Sequence, residues 1–180
     1  MPEPGSDVYV GLGSNLGERE EHLRRAVLAL RDAITIERVS SIWLTEPVGL
    51  REQPPFYNAV VGGRTTLAPR ALLHALLAVE RGLGRVREAE PVENGPRTID
   101  LDLLLHGDRV LDERGLVLPH PRMTARRFVL APLAEIAPDL RIGDHPRTVV
   151  EMLAALAPGQ NAVERLALPG WPPEVIRPLR

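Results

Sequence analysis

A chain of 180 residues is long enough for one domain with a substantial core, and its formal net charge of −2 gives no basic excess of the kind nucleic acid selects. The absence of Cys excludes disulfides, thiolate zinc sites and cysteine nucleophiles together. All 22 basic residues are Arg, so a P-loop lysine, a Schiff-base lysine and a lysine general base are excluded as well. No stretch approaches the ~20 apolar residues of a membrane span, and Met1-Pro2-Glu3-Pro4 lacks a signal-peptide pattern, so a cytoplasmic protein without membrane or nucleic-acid partners is expected.

Asp7 to Leu12 reads as a strand running into a Gly- and Asn-rich turn, Gly13 to Gly17, with Ser14 or Asn15 expected to cap the helix that follows. From Glu18 to Asp32, Leu23, Ala26, Val27 and Leu30 recur at helical spacing, with acids leading and arginines later. Ile34 to Thr45 alternates as a strand interrupted near Arg38. Glu46 to Pro55, with three prolines and a glycine, is a loop long enough to be functional. Phe56 to Thr66 is the next strand, where Gly62-Gly63 suggests a bulge, and Pro69 opens a helix carried by Leu72, Leu73, Leu76, Leu77 and Val79 to about Leu83.

Gly84 to Thr98 is polar, lacks an apolar period and reads as a mobile loop. A strand follows from Ile99, then a hairpin through His106-Gly107-Asp108 into Val110-Leu111. Phe128 to Ile136 reads as a helix despite Pro132, and Val149 to Leu156 as a short final one. Residues 1–160 are expected to form a single domain, and 161–180 a tail whose Trp171 packs back on the body. The order strand-helix-strand-strand-helix-strand is that of an α+β ferredoxin-like three-layer sandwich, a mostly antiparallel sheet with helices packed on it.

The chemistry concentrates in Gly95-Pro96-Arg97-Thr98-Ile99-Asp100-Leu101-Asp102-Leu103-Leu104-Leu105. Alternation sends Ile99, Leu101, Leu103 and Leu105 one way and Asp100, Asp102 and Leu104 the other. Two carboxylates therefore share a face with Cα atoms roughly 6.5 Å apart, a repulsive pair that divalent cations would reconcile. Arg85, Arg87 and Arg97 supply forks suited to phosphate beside it. His120, Arg126 and Arg127 form a second basic cluster, in which His120 gains weight only from its neighbours. The loop from Thr45 to Asn58 resembles a small-molecule pocket: Asn58 donates and accepts in one plane, and Phe56, Tyr57 and Phe128 could stack on a flat ring. The Gly11–Gly17 turn sits where a dinucleotide fingerprint would, but the element order lacks the alternating βαβαβ of a Rossmann fold.

Together these pieces resemble the 6-hydroxymethyl-7,8-dihydropterin pyrophosphokinases of folate biosynthesis. They are Gly11–Gly17, Thr45–Gly49 with Gln53-Pro54, Phe56–Ala59, Glu80–Arg87, Gly95–Leu104 and Leu118-Pro119-His120, in the family's order across about residues 8 to 140. The resemblance implies transfer of pyrophosphate from ATP to the pterin hydroxymethyl group, releasing AMP. It implies two Mg2+ ions on Asp100 and Asp102, and a triphosphate gripped by Arg85, Arg97 and a loop-borne Arg87. It adds Leu103, His120 and Arg126 as further ATP contacts. Thr45, Val48 and Asn58 would bind the pterin, with Phe56 and Phe128 sandwiching it, in a chain expected to be monomeric. Many relatives carry a Trp shortly before the Gly-Pro-Arg, where this chain has Pro91-Val92-Glu93-Asn94. The competing reading is a ferredoxin-like module that senses a nucleotide or pterin without chemistry.

Overall fold

The computed structural model describes residues 5–49, 52–86, 95–159 and 162–174. Its elements run β1 (Ser6–Ser14), α1 (Arg19–Leu30), β2 (Thr35–Val39), β3 (Ile42–Thr45), β4 (Phe56–Thr65), α2 (Pro69–Gly82) and β5 (Asp100–His106). They continue with β6 (Leu111–Glu113), β7 (Leu116–Leu118), a single 3-10 turn (Met123–Ala125), α3 (Arg127–Ile136), α4 (Val149–Ala155) and β8 (Val163–Leu166). The main sheet has the order β5-β1-β4-β3-β8, with β2 also on β4, and its pairs are antiparallel. This is the expected α+β ferredoxin-like sandwich.

Alternating side chains divide the core into two. Val8, Val10 and Leu12 of β1 and Leu101 and Leu103 of β5 meet Leu23, Val27 and Leu30 of α1 and Leu72 and Leu76 of α2. On the opposite face, Val60, Leu104 and Leu105 meet Met123, Leu130 and Leu133, and then Val149 and Met152 of α4. Each fully buried aliphatic side chain contributes about 1.5–3 kcal/mol. The functional face is the second one, because Gly11, Gly13, Asn58, Asp100 and Asp102 occupy the alternate positions that point there.

Several expectations shift in detail. Leu105 joins Leu104 on the α3 face instead of following Leu103. Val10 pairs with Leu103 and Tyr9 with Leu105, so Leu104 is an extra residue that flips the alternation. The bulge expected at Gly62-Gly63 lies across from them, on β2, where Ile36 and Arg38 flank an unpaired Glu37. Gly63 is there for proximity: a Cβ would collide with the Thr35 carbonyl and sit 3.0 Å from the Ile36 Cα. The long strand from Ile34 breaks at Ser40-Ser41, where Ser40 Oγ accepts from the Val60 N–H at 2.9 Å.

The hairpin after β5 is also differently placed. β5 ends at His106 and turns away at Gly107 (φ 52°), while β6 pairs with β7 in a separate two-stranded sheet closed at Gly115 (φ 76°). In the tail, β8 adds to β3, and the Trp171 indole N–H donates to the Ser40 carbonyl at 2.9 Å. Among the described residues, no helix is long and apolar enough to cross a membrane.

Candidate active site

A cleft of about 870 Å³, open to solvent, lies on the α3 face of the sheet where four strands present their ends. β1 supplies its floor with Gly11 and Gly13. The backbone register places Gly13 opposite Asn58 on one side and Asp100 on the other. A Cβ at Gly13 would stand 2.8 Å from Asn58 Oδ1, so the glycine leaves room for the amide. The Gly-rich run is thus a floor between two functional strands, and α1 is not capped by Ser14 or Asn15: its N-cap is Glu18, without a side-chain cap.

At one end stand the carboxylates. Asp102 is pushed up to about 7, first by burial and next by Asp100, while Arg126 and Arg97 pull the other way. Asp100 is held between two guanidinium groups: Arg85 Nη1 donates to Oδ1 at 2.7 Å and Arg97 Nη1 to Oδ2 at 3.1 Å. Arg97, Arg122 and Arg126 all line the cleft, and burial followed by Arg122 works against the charge of Arg126. Three cations facing two acids give this end of the cleft an excess of positive charge suited to a polyanion.

At the other end Asn58, only 8% exposed, donates from Nδ2 to Thr45 Oγ1 at 2.6 Å. That contact fixes the amide plane and leaves Oδ1 facing the cleft floor at Gly13. Phe56 and Phe128 line the same region, each with an arginine over it: Arg97 at 5.8 Å from the Phe56 ring centre and Arg126 at 5.4 Å from Phe128. Thr45, Glu46, Val48 and Gly49 form the remaining wall.

The chain as a whole is similar to known proteins in sequence and in fold. The family model for 7,8-dihydro-6-hydroxymethylpterin-pyrophosphokinase (HPPK) matches residues 9–138. A 2-amino-4-hydroxy-6-hydroxymethyldihydropteridine pyrophosphokinase of Bacillus subtilis is 49% identical over 130 residues, covering 71% of this chain and 76% of that protein. Its counterpart from Methylorubrum extorquens is 47% identical over 161 residues, 88% of this chain and 97% of that one. The chain belongs to the HPPK family. Among solved structures, a Plasmodium falciparum HPPK-DHPS triple mutant with SDX-DHP aligns at TM-score 0.68 and 14% identity. It covers 84% of this chain, which spans under half (44%) of that longer chain, and it supports the fold alone.

Within this HPPK fold the sequence-derived residues sort by position. Thr45, Val48, Phe56, Asn58, Arg97, Asp100, Asp102, Arg126 and Phe128 all line the cleft. Arg85 does not: at 5% exposure it sits behind Asp100, also bonding Glu80 Oε1 at 3.1 Å and the Ile99 carbonyl at 3.0 Å. A polar loop context suggested a free phosphate hand, whereas a buried acid on α2 draws the guanidinium inward. Leu103, expected as an ATP contact, is not among the residues lining the cleft, and its side chain packs in the core on the α1–α2 side of the sheet.

His120 stands beside the wall. Its backbone N–H donates to the Leu104 carbonyl at 2.9 Å, and burial, then Arg126 and Arg122, lower its pKa. Arg87 and the Pro91–Asn94 departure from the HPPK pattern lie outside the described residues. Missed by sequence reasoning were Arg122, Glu80 and Asn15. Glu80 carried a usable signal: it falls in helical register with Leu72 and Leu76, an acid on an apolar face.

Proposed function

We propose that the chain transfers pyrophosphate from ATP to the hydroxymethyl group of 6-hydroxymethyl-7,8-dihydropterin in folate biosynthesis. The observation that carries this reading is one cleft with two unlike halves in an HPPK-family chain: Asp100 and Asp102 with Arg97 and Arg126, facing Asn58 between Phe56 and Phe128. The pterin hydroxyl oxygen bonds to the β-phosphorus of ATP, the bond from that phosphorus to the oxygen bridging it to the α-phosphate breaks, AMP leaves with that oxygen, and the hydroxyl proton passes to solvent. Catalysis is then positioning and charge stabilisation rather than covalent chemistry.

The donor set fits Mg2+. Asp100 and Asp102 share a face, and burial followed by repulsion from Asp100 works against the charge of Asp102, a conflict a divalent cation removes. Among the described residues no group of three or more His, Asp or Glu could hold a metal, so the remaining coordination falls to phosphate oxygens and water, as Mg2+ accepts. Two ions on this pair would neutralise charge on the transferring phosphates. Arg97 and Arg126 grip the triphosphate, joined by Arg87 from the stretch between α2 and Gly95, while Arg85 acts through Asp100. His120 and the Leu103 backbone border the nucleotide, and Thr45, Val48, Asn58 and the two Phe rings hold the pterin. The protein acts as a cytoplasmic monomer, with residues 1–160 as the catalytic domain and 161–180 as a tail packed on it through β8.

Incubation with ATP, Mg2+ and the hydroxymethyl-dihydropterin, followed by chromatography for AMP, tests the proposal. AMP formed only when both Mg2+ and the pterin are present is the expected result. Binding of both ligands without AMP would instead make the protein a sensing module.

A further inference from the structure

Asn15 occupies an unusual place. It follows the last residue of β1, the strand lying between β4, which carries the heterocycle contacts, and β5, which carries the carboxylates. Its side chain is 2% exposed. Oδ1 accepts from the Arg97 N–H at 2.8 Å, and the Asn15 N–H donates back to the Arg97 carbonyl at 3.2 Å. Both hydrogens of Nδ2 are used on the other half of the cleft, one on Gln53 Oε1 at 2.9 Å and one on the Pro54 carbonyl at 3.0 Å. Its backbone partners set this amide orientation, because the reverse would place oxygen against the Pro54 carbonyl and NH2 against the Arg97 N–H.

The same loop is tied a second time from the start of α1. Arg19 Nη1 donates to the Pro55 carbonyl at 2.8 Å, and its guanidinium lies 4.0 Å from the centre of the Tyr57 ring. Among the described residues Arg19 has no bond to the phosphate end, whereas Asn15 bonds to both halves. One buried amide therefore joins the backbone of the cleft arginine to the loop leading into Phe56 and Asn58.

We propose that Asn15 is a positioning residue that couples the two halves of the cleft, so that filling the phosphate end tightens binding of the heterocycle and the reverse. The proposal rests on the bisubstrate reading above. A guanidinium drawn onto phosphate fixes the Arg97 backbone, Asn15 passes that restraint to Gln53 and Pro54, and the loop loses freedom that the heterocycle would otherwise have to remove. Such coupling is reciprocal by linkage.

Calorimetric titration of 6-hydroxymethylpterin, with and without a non-hydrolysable ATP analogue and Mg2+, measures the coupling factor directly. The wild-type protein is expected to bind the pterin at least about fivefold more tightly when the nucleotide is present. Asn15→Ala is expected to bring that factor to within about twofold of unity. Asn15→Asp keeps the acceptor for the Arg97 N–H but loses both donors, so nucleotide affinity is retained while the coupling is lost. Gln53→Ala, which leaves the β1 turn intact, lowers the factor with nucleotide affinity unchanged and serves if either Asn15 variant fails to fold. A wild-type factor near one, or full coupling retained in Asn15→Asp or in Gln53→Ala, overturns the proposal. Failure of the wild-type protein to bind either ligand would instead overturn the bisubstrate reading itself.

Discussion

Arg85 donates to Asp100 at 2.7 Å from a position with almost no access to solvent, and Glu80 stands behind it at 3.1 Å. Glu80 Oε1 also accepts the Leu101 N–H at 2.8 Å, so helix α2 grips the very start of the carboxylate strand. Removing the cation strands a buried acid. Arg85→Ala is therefore expected to destabilise the fold by about 3 kcal/mol, as broken buried pairs do, and to cut turnover with it. Urea denaturation checks the first effect, and AMP release at a temperature where the variant is folded checks the second. A variant as stable as the parent would contradict the buried-pair assignment.

Asp102 links activity to stability with opposite signs. Its folded pKa of about 7 lies above the ordinary 3.8, so its stabilising share is complete below pH 3.8 and is lost as pH rises through 7. In the presence of EDTA, Asp102→Asn should match the parent near pH 4 and exceed it by roughly 2–4 kcal/mol above pH 7. The same variant should lose nearly all AMP formation. Denaturation curves between pH 4 and 8 would show the gap opening, and a constant gap would count against the shift.

Asn58 and Thr45 are expected to separate pterin from nucleotide. Asn58→Ala deletes a buried amide whose loss costs about 1–3 kcal/mol, which corresponds to roughly a 5- to 150-fold rise in the pterin KM. The ATP KM should hold within about threefold. Equal losses for both substrates would mean that Asn58 supports the whole cleft rather than its heterocycle end.

Gly13→Ala tests the floor. The new methyl would press on Asn58 Oδ1 from 2.8 Å, while Phe56 is 3.8 Å away. The strand itself tolerates Ala, so the expected outcome is weaker pterin binding by about tenfold with an overpacking cost of roughly 1–2 kcal/mol in stability. Parallel titration and melting of the variant distinguish the two effects.

The legible and illegible parts of this molecule differ in kind. Apolar period located α1, α2 and α3, and the bare alternation of Asp100 and Asp102 placed both acids on one face, because these are local consequences of strand and helix geometry. Residue chemistry singled out Asn58, Phe128 and Arg126, and all three line the cleft. The direction of Arg85 was not local: it depends on Glu80 five residues earlier facing inward and on Asp100 fifteen residues later. Leu105 turned over because one bulged residue resets alternation, which no count of apolar positions reveals. Asn15 reads as an ordinary turn residue until Gln53 and Arg97 arrive on either side of it. β8 escaped notice because Val163-Glu164-Arg165-Leu166 is short and half charged, as outermost strands tend to be.

That outermost strand has a temporal side. β3 bears Thr45 at its end, and its far edge stays without a hydrogen-bonding neighbour until Val163–Leu166 docks, with Ile42 opposite Leu166 and Thr45 opposite Val163. Synthesis runs from the N-terminus, so the heterocycle wall emerges from the ribosome more than a hundred residues before the strand that shelters it. During that interval the four ladder positions of this edge are open, and the late-arriving segment closes them.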